Sequence, residues 1–72
     1  MSTNAQIEIV VNGEVRSIPE GQNLRQLLDF LEIDGSRVAV ELDRMIVQPQ
    51  SWDATAVNGG ARLEIVHFVG GG

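Results

Sequence analysis

The chain has neither cysteine nor lysine among its 72 residues, and its aromatic side chains are one tryptophan and two phenylalanines. Without cysteine there is no disulfide framework, no thiolate metal site and no side-chain thiol chemistry. That composition fits a reducing, cytoplasmic setting. Without lysine there is no ε-amine on which isopeptide-linked polymers could be built. The five cations are all arginine, Arg16, Arg25, Arg37, Arg44 and Arg62, and ten carboxylates outnumber them to give a net charge of -5. No basic stripe exists, so no nucleic-acid partner is expected, and a basic protein surface suits the charge better. No cationic leader or long apolar run opens the chain, so neither a signal peptide nor a membrane span is expected.

What is present is one small core's worth of apolar residues, 43% of the chain, arranged with clear periodicity. A domain of this length lies near the lower limit for folding alone. "IEIVV" (7–11) sets Ile7, Ile9 and Val11 on one face and Glu8 and Val10 on the other, as a half-buried strand does. Asn12-Gly13 follows, a strong signal for a type I′ hairpin, and "EVRSI" (14–18) returns antiparallel. Pro19 and Gly21 then stop the sheet. "NLRQLLDFLEID" (23–34) predicts a helix, with Asn23 and Gln26 forming a capping box. Leu24, Leu27, Leu28 and Leu31 make its single apolar stripe, and Gly35 is its expected stop.

"RVAVEL" (37–42) alternates again, with Val38, Val40 and Leu42 inward. Asp43-Arg44 is a turn, "MIV" (45–47) a short strand, and Pro49 ends it. "SWDATAV" is expected as a loop or single helical turn with Trp52 covering one end of the core. "NGG" (58–60) turns the chain into a last strand over "RLEIVHFV" (62–69). One helical pattern among five strands excludes a bundle, because the helix must bury its stripe against a sheet. The fold class is therefore α+β, a two-layer β-grasp of ubiquitin-like order, with the helix packed across one face of a mixed four- to five-stranded sheet. The domain spans 1–69, with 1–5 expected to be disordered, and 70–72 form a glycine tail.

Little in the chain supports catalysis by side chains. His67 is the sole histidine, no triad or metal-ligand cluster assembles around it, and it is expected to be structural or at the rim of the sheet. The carboxylates are spread over turns and strand exteriors, and neither glycine cluster opens a helix as a phosphate loop would. The last strand is more informative. Leu63, Ile65 and His67 share one face, and Glu64, Val66 and Phe68 share the other. With the first face on the helix, Val66 and Phe68 become exposed apolar residues of an open face, joined there by Val10 and Ala39, and read as a docking surface.

After that strand come Gly70, Gly71 and Gly72. Three glycines alone suit a frayed end or a linker as well as a reactive tail. Three glycines at the end of a strand held in a β-grasp point to the C-terminal carboxylate as the reacting group. An extended glycine backbone passes a narrow channel without side-chain clashes. Activated with ATP as a mixed anhydride with AMP, the carboxylate can accept sulfur to become a thiocarboxylate.

"VNGE" (11–14), "NLRQLL" (23–28), "VAVEL" with "IV", Pro49 and Trp52, and above all "RLEIVHFVGGG" (62–72) resemble the ThiS family of thiamine-biosynthesis sulfur carriers. The resemblance runs from Ile7 onward. It implies that Gly72 carries first an acyl-adenylate and then the sulfur of a 1-thioglycine, with Gly71 and Gly70 as the arm. It implies an E1-like adenylyltransferase (ThiF), thiazole synthase (ThiG) and a sulfur donor such as a cysteine desulfurase as partners. It further implies no bound cofactor, ATP being consumed by the activating partner, and a chain that is a protein co-substrate rather than an enzyme. Asp43, Gln50 and Gly60-Ala61 depart from the family's common Asn, Arg and Gly-Asp. The alternative readings are the small subunit of molybdopterin synthase, which commonly has paired prolines before its tail, or another ubiquitin-like carrier or modifier.

Overall fold

The computed structural model describes residues 5–69. Strands β1 (Gln6–Val11) and β2 (Glu14–Pro19) precede helix α1 (Leu24–Phe30), and β3 (Val38–Leu42), β4 (Met45–Val47) and β5 (Arg62–His67) follow it. The sheet order is β2-β1-β5-β3-β4. β5 runs parallel to β1 and antiparallel to β3, so the last strand in sequence is the central strand in space. This is the expected β-grasp. Among the described residues no helix is long and apolar enough to cross a membrane.

Both hairpins turn through left-handed residues. Asn12 and Gly13 have φ of 50° and 84°, and Asp43 and Arg44 have φ of 50° and 73°. Positive φ at both central positions is the type I′ geometry that matches the twist of the flanking strands. Asp43 is held there by its side chain, whose Oδ1 accepts from the N–H of Arg62 at 3.0 Å and so ties the turn to the start of β5.

The helix begins as expected. Asn23 Oδ1 accepts from the N–H of Gln26, and Gln26 Oε1 accepts from the N–H of Asn23. It ends four residues earlier than the pattern suggested, and Gly35 is not its stop. Glu32 has φ of 61°. Its N–H donates to the carbonyl of Asp29, and the N–H of Ile33 donates to that of Leu28. Those two bonds are the Schellman arrangement, here with glutamate in the position glycine favours. The physical reason lies in Ile33. At about 100° per residue a longer helix would aim it roughly 180° from Leu24, into solvent. The early turn instead packs it against the core.

Gly35 serves closeness rather than chain reversal. A Cβ on it would stand 2.8 Å from Cζ3 of Trp52. Trp52 itself is only 1% exposed. Of the loop or single helical turn expected around Trp52, the helical form is present, a 3₁₀ segment over Pro49–Ala54 that lays the indole over the end of the core. Trp52 Nε1 donates to the Val47 carbonyl at 2.9 Å, and the Arg25 guanidinium lies over the ring. Leu24, Leu27 and Leu28 from the helix meet Ile9, Val40, Leu63 and Ile65 from the sheet, all buried. The helix covers this one face, and the other is left open.

The chain entry also differs slightly from expectation. Residues 1–4 lie outside the described residues, while Ala5 already accepts a hydrogen bond from the N–H of Glu20. The last strand is shorter than 62–69, ending at His67. Pairing stops there because β3 begins at Val38 and Gly35–Arg37 turns away as a short 3₁₀ segment. Asp34 caps that segment. Bonds from the hydroxyl and then the N–H of Ser36 hold its carboxyl below the ordinary value of 3.8.

Candidate docking face and the strand that carries the tail

β5 is the element that leads to the terminal glycines, and three sets of bonds anchor it. On one side Leu63, Ile65 and His67 lie opposite Leu42, Val40 and Val38 of β3. On the other side the N–H of Asn12 donates to the Leu63 carbonyl at 2.9 Å. Beyond that point β1 has ended, and the Asn12 side chain continues the ladder. Its Oδ1 accepts from the N–H of Ile65 at 2.7 Å, and its Nδ2 donates to the Ile65 carbonyl at 3.1 Å. One carboxamide thus does for β5 what one more residue of parallel strand would do. Sequence reasoning saw Asn12 only as a turn residue, because this role depends on β1 lying beside β5, 53 positions away.

The last anchored position is Phe68, whose N–H donates to the Arg37 carbonyl at 2.9 Å. Val69 follows with 94% of its surface exposed. Gly70, Gly71 and Gly72, the predicted reactive and partner-binding glycines, lie outside the described residues.

On the open face Val66 and Phe68 stand out as expected, exposed 59% and 58%. Val66 is directly opposite Ala39, so these three make one apolar patch at the C-terminal end of β5. Val10 does not join them. It sits in the row of Arg62 and Val15, half-buried, four residues before Val66 along β5. Ile46 was missed as a member. It pairs with Glu41 and so projects from the open face, 66% exposed, at the edge of the same patch. A three-residue strand offers too short an alternation to assign its faces from sequence.

Ala39, Ile46 and Phe68 also line a groove of about 610 Å³, with Val38, Val47 and Trp52 among its other walls. The groove follows from the shortness of β4, which reaches only to Val47 opposite Val40 and leaves the first residues of β3 without a strand partner on that side. His67, as expected of a rim residue, is exposed at the strand's end. Among the described residues no group of three or more His, Cys, Asp or Glu side chains could hold a metal ion. The arrangement is that of an apolar surface beside an exposed strand end.

Known proteins share this pattern. A model of the ThiS family matches residues 4–72. The crystal structure of the thiamine biosynthesis protein (ThiS) from Geobacter metallireducens superimposes with a TM-score of 0.81 at 32% identity, covering 92% of this chain and all of that one. The chain is 42% identical over 66 residues to a thiazole synthase of Paramagnetospirillum magneticum, covering 92% of itself but only 20% of that protein. It is also 32% identical to an uncharacterized protein, ycf40, of Porphyra purpurea, over 96% of this chain and 97% of the other. The chain therefore spans about a fifth of the thiazole synthase it matches and nearly the whole of the ycf40 protein.

Proposed function

The chain belongs to the ThiS family, and from that membership we propose that it is a sulfur carrier of thiamine biosynthesis whose reacting group is the carboxylate of Gly72. It is a protein substrate rather than an enzyme. A carboxylate oxygen attacks the α-phosphate of ATP in the site of an E1-like adenylyltransferase (ThiF), and pyrophosphate leaves. A sulfur nucleophile, supplied by a donor such as a cysteine desulfurase, then attacks the acyl carbon, and AMP departs with the electron pair of the broken C–O bond. With a persulfide donor the product is an acyl disulfide, and a thiol reductant then attacks the donor's cysteine sulfur, forming a new disulfide there and leaving the thiocarboxylate on Gly72. Thiazole synthase (ThiG) takes that sulfur.

The observation that carries the reading is the placement of β5. It is the central strand, bonded on the β1 side as far as Ile65 and on the β3 side as far as Phe68, and it delivers an exposed Val69 immediately before the three glycines. A firm base followed by residues without side chains is what threading a terminus into another protein's nucleotide site requires. The family match extending through residue 72 supports the role of Gly72. Thiazole synthase as acceptor is supported by proteins of that name which contain a region similar to this chain. Val66 and Phe68 supply the docking contact next to the arm.

The test is Gly71→Leu. The variant is expected to unfold at the same urea concentration as the wild type and to lose ATP–pyrophosphate exchange with the adenylyltransferase by at least about a hundredfold, since a misplacement of order 1 Å costs that much in rate. Exchange at the wild-type rate would contradict the threading role of the glycines.

A further inference from the structure

The open face sets two carboxylates against each other. Glu41 on β3 and Glu64 on β5 are directly opposed in the antiparallel register. Their neighbours Val40, Leu63 and Ile65 are buried under the helix, so the alternation of the strands sends both carboxylates to the open side. This phase of the ladder is the hydrogen-bonded one, as the bonds from Phe68 N–H to the Arg37 carbonyl and from Asp43 N–H to the Arg62 carbonyl at its two ends show. That places the two α-carbons about 5.5 Å apart. Like charges so opposed destabilise a strand pair.

Among the described residues neither carboxylate takes part in an ion pair, the pairs there being Arg16–Glu14 and Arg25–Asp53. Arg62, two residues before Glu64 on the same face, lies instead in the row of Asp43. The immediate surroundings are apolar: Ile46 sits directly across from Glu41, and Val66 and Ala39 form the next row.

We infer that the Glu41–Glu64 pair is a docking determinant that receives an arginine or lysine of the activating partner, with an apolar side chain beside that cation seated on Val66, Phe68 and Ile46. Charge complementarity selects this occupant. One cation between two mutually repelling carboxylates relieves their repulsion and gains attraction to both, and the apolar rim excludes water and strengthens the contact. A second copy of this chain is a poor fit, because its own net charge is -5. The inference rests on the sulfur-carrier reading, which names the partner used in the test.

The experiment compares wild type, Glu41→Gln, Glu64→Gln and the double variant, with the adenylyltransferase and ATP, by pyrophosphate exchange over a range of salt concentrations. The double variant is expected to raise the KM for the carrier about tenfold, with the effect falling on KM rather than kcat, and to flatten its salt dependence. Its urea midpoint, measured alone, is expected to equal or exceed that of the wild type. A purely structural pair would not raise KM while leaving the fold as stable. Unchanged KM and salt slope in the double variant overturn the inference while leaving the carrier reading in place, as does self-association of the wild type that the substitutions abolish. Failure of the wild type itself to support exchange overturns both.

Discussion

Asn12 concentrates in one side chain what usually takes a length of backbone. Its carboxamide satisfies both main-chain groups of Ile65, the residue at the middle of the central strand. Leaving a donor and an acceptor there without partners costs about 1–3 kcal/mol. Asn12→Gly isolates that contribution, because a Gly-Gly pair still suits the left-handed turn at φ of 50° and 84°. The variant is expected to lose about 2 kcal/mol in urea unfolding with an unchanged m value. A loss under about 0.5 kcal/mol, within the range of an ordinary surface change, would show that the amide is not what holds β5 beyond the end of β1. The turn at Asn12-Gly13 was legible in the dipeptide. The staple was not, since nothing local states which strand will lie alongside.

The elements differ in how openly their sequences announce them. The two hairpins and the helix start are dictated by short-range chemistry: paired left-handed residues, and a capping box that closes on itself. The helix end was misread because Gly35 is the conspicuous breaker, while the turning residue, Glu32, has no local feature that marks it. Ile33 held the information, since only an early turn returns it to the core. Holding a non-glycine residue at φ of 61° is costly. Glycine removes a strain of roughly 1–2 kcal/mol and returns about 0.4–1 kcal/mol as unfolded-state entropy. Glu32→Gly is therefore expected to stabilise the protein by about 0.5 kcal/mol, seen as a higher urea midpoint. Destabilisation would mean that the glutamate side chain contributes more to this corner than its backbone angle costs.

At the scale of the whole molecule, the order of elements along the chain already implied one helix on one sheet, and the open face followed from strand parity. Val66 and Phe68 were visible that way, because β5 alternates over six residues. Ile46, the groove beside Trp52 and the confrontation of Glu41 with Glu64 were not, because each depends on which strands become neighbours and how far β4 extends. The topology brings these features to the same end of the molecule, around the strand that delivers the terminal glycines. In the proposed function a stable base, a docking face and a terminus without side chains act together, and the net charge of -5 favours encounter with a basic partner surface.

The most direct measurement is the intact mass of the protein after incubation with the adenylyltransferase, ATP and a sulfide source. The account predicts a rise equal to the replacement of one oxygen by sulfur, located to Gly72 by fragmentation. An unchanged mass, with the enzyme shown to be active on another carrier, would contradict it.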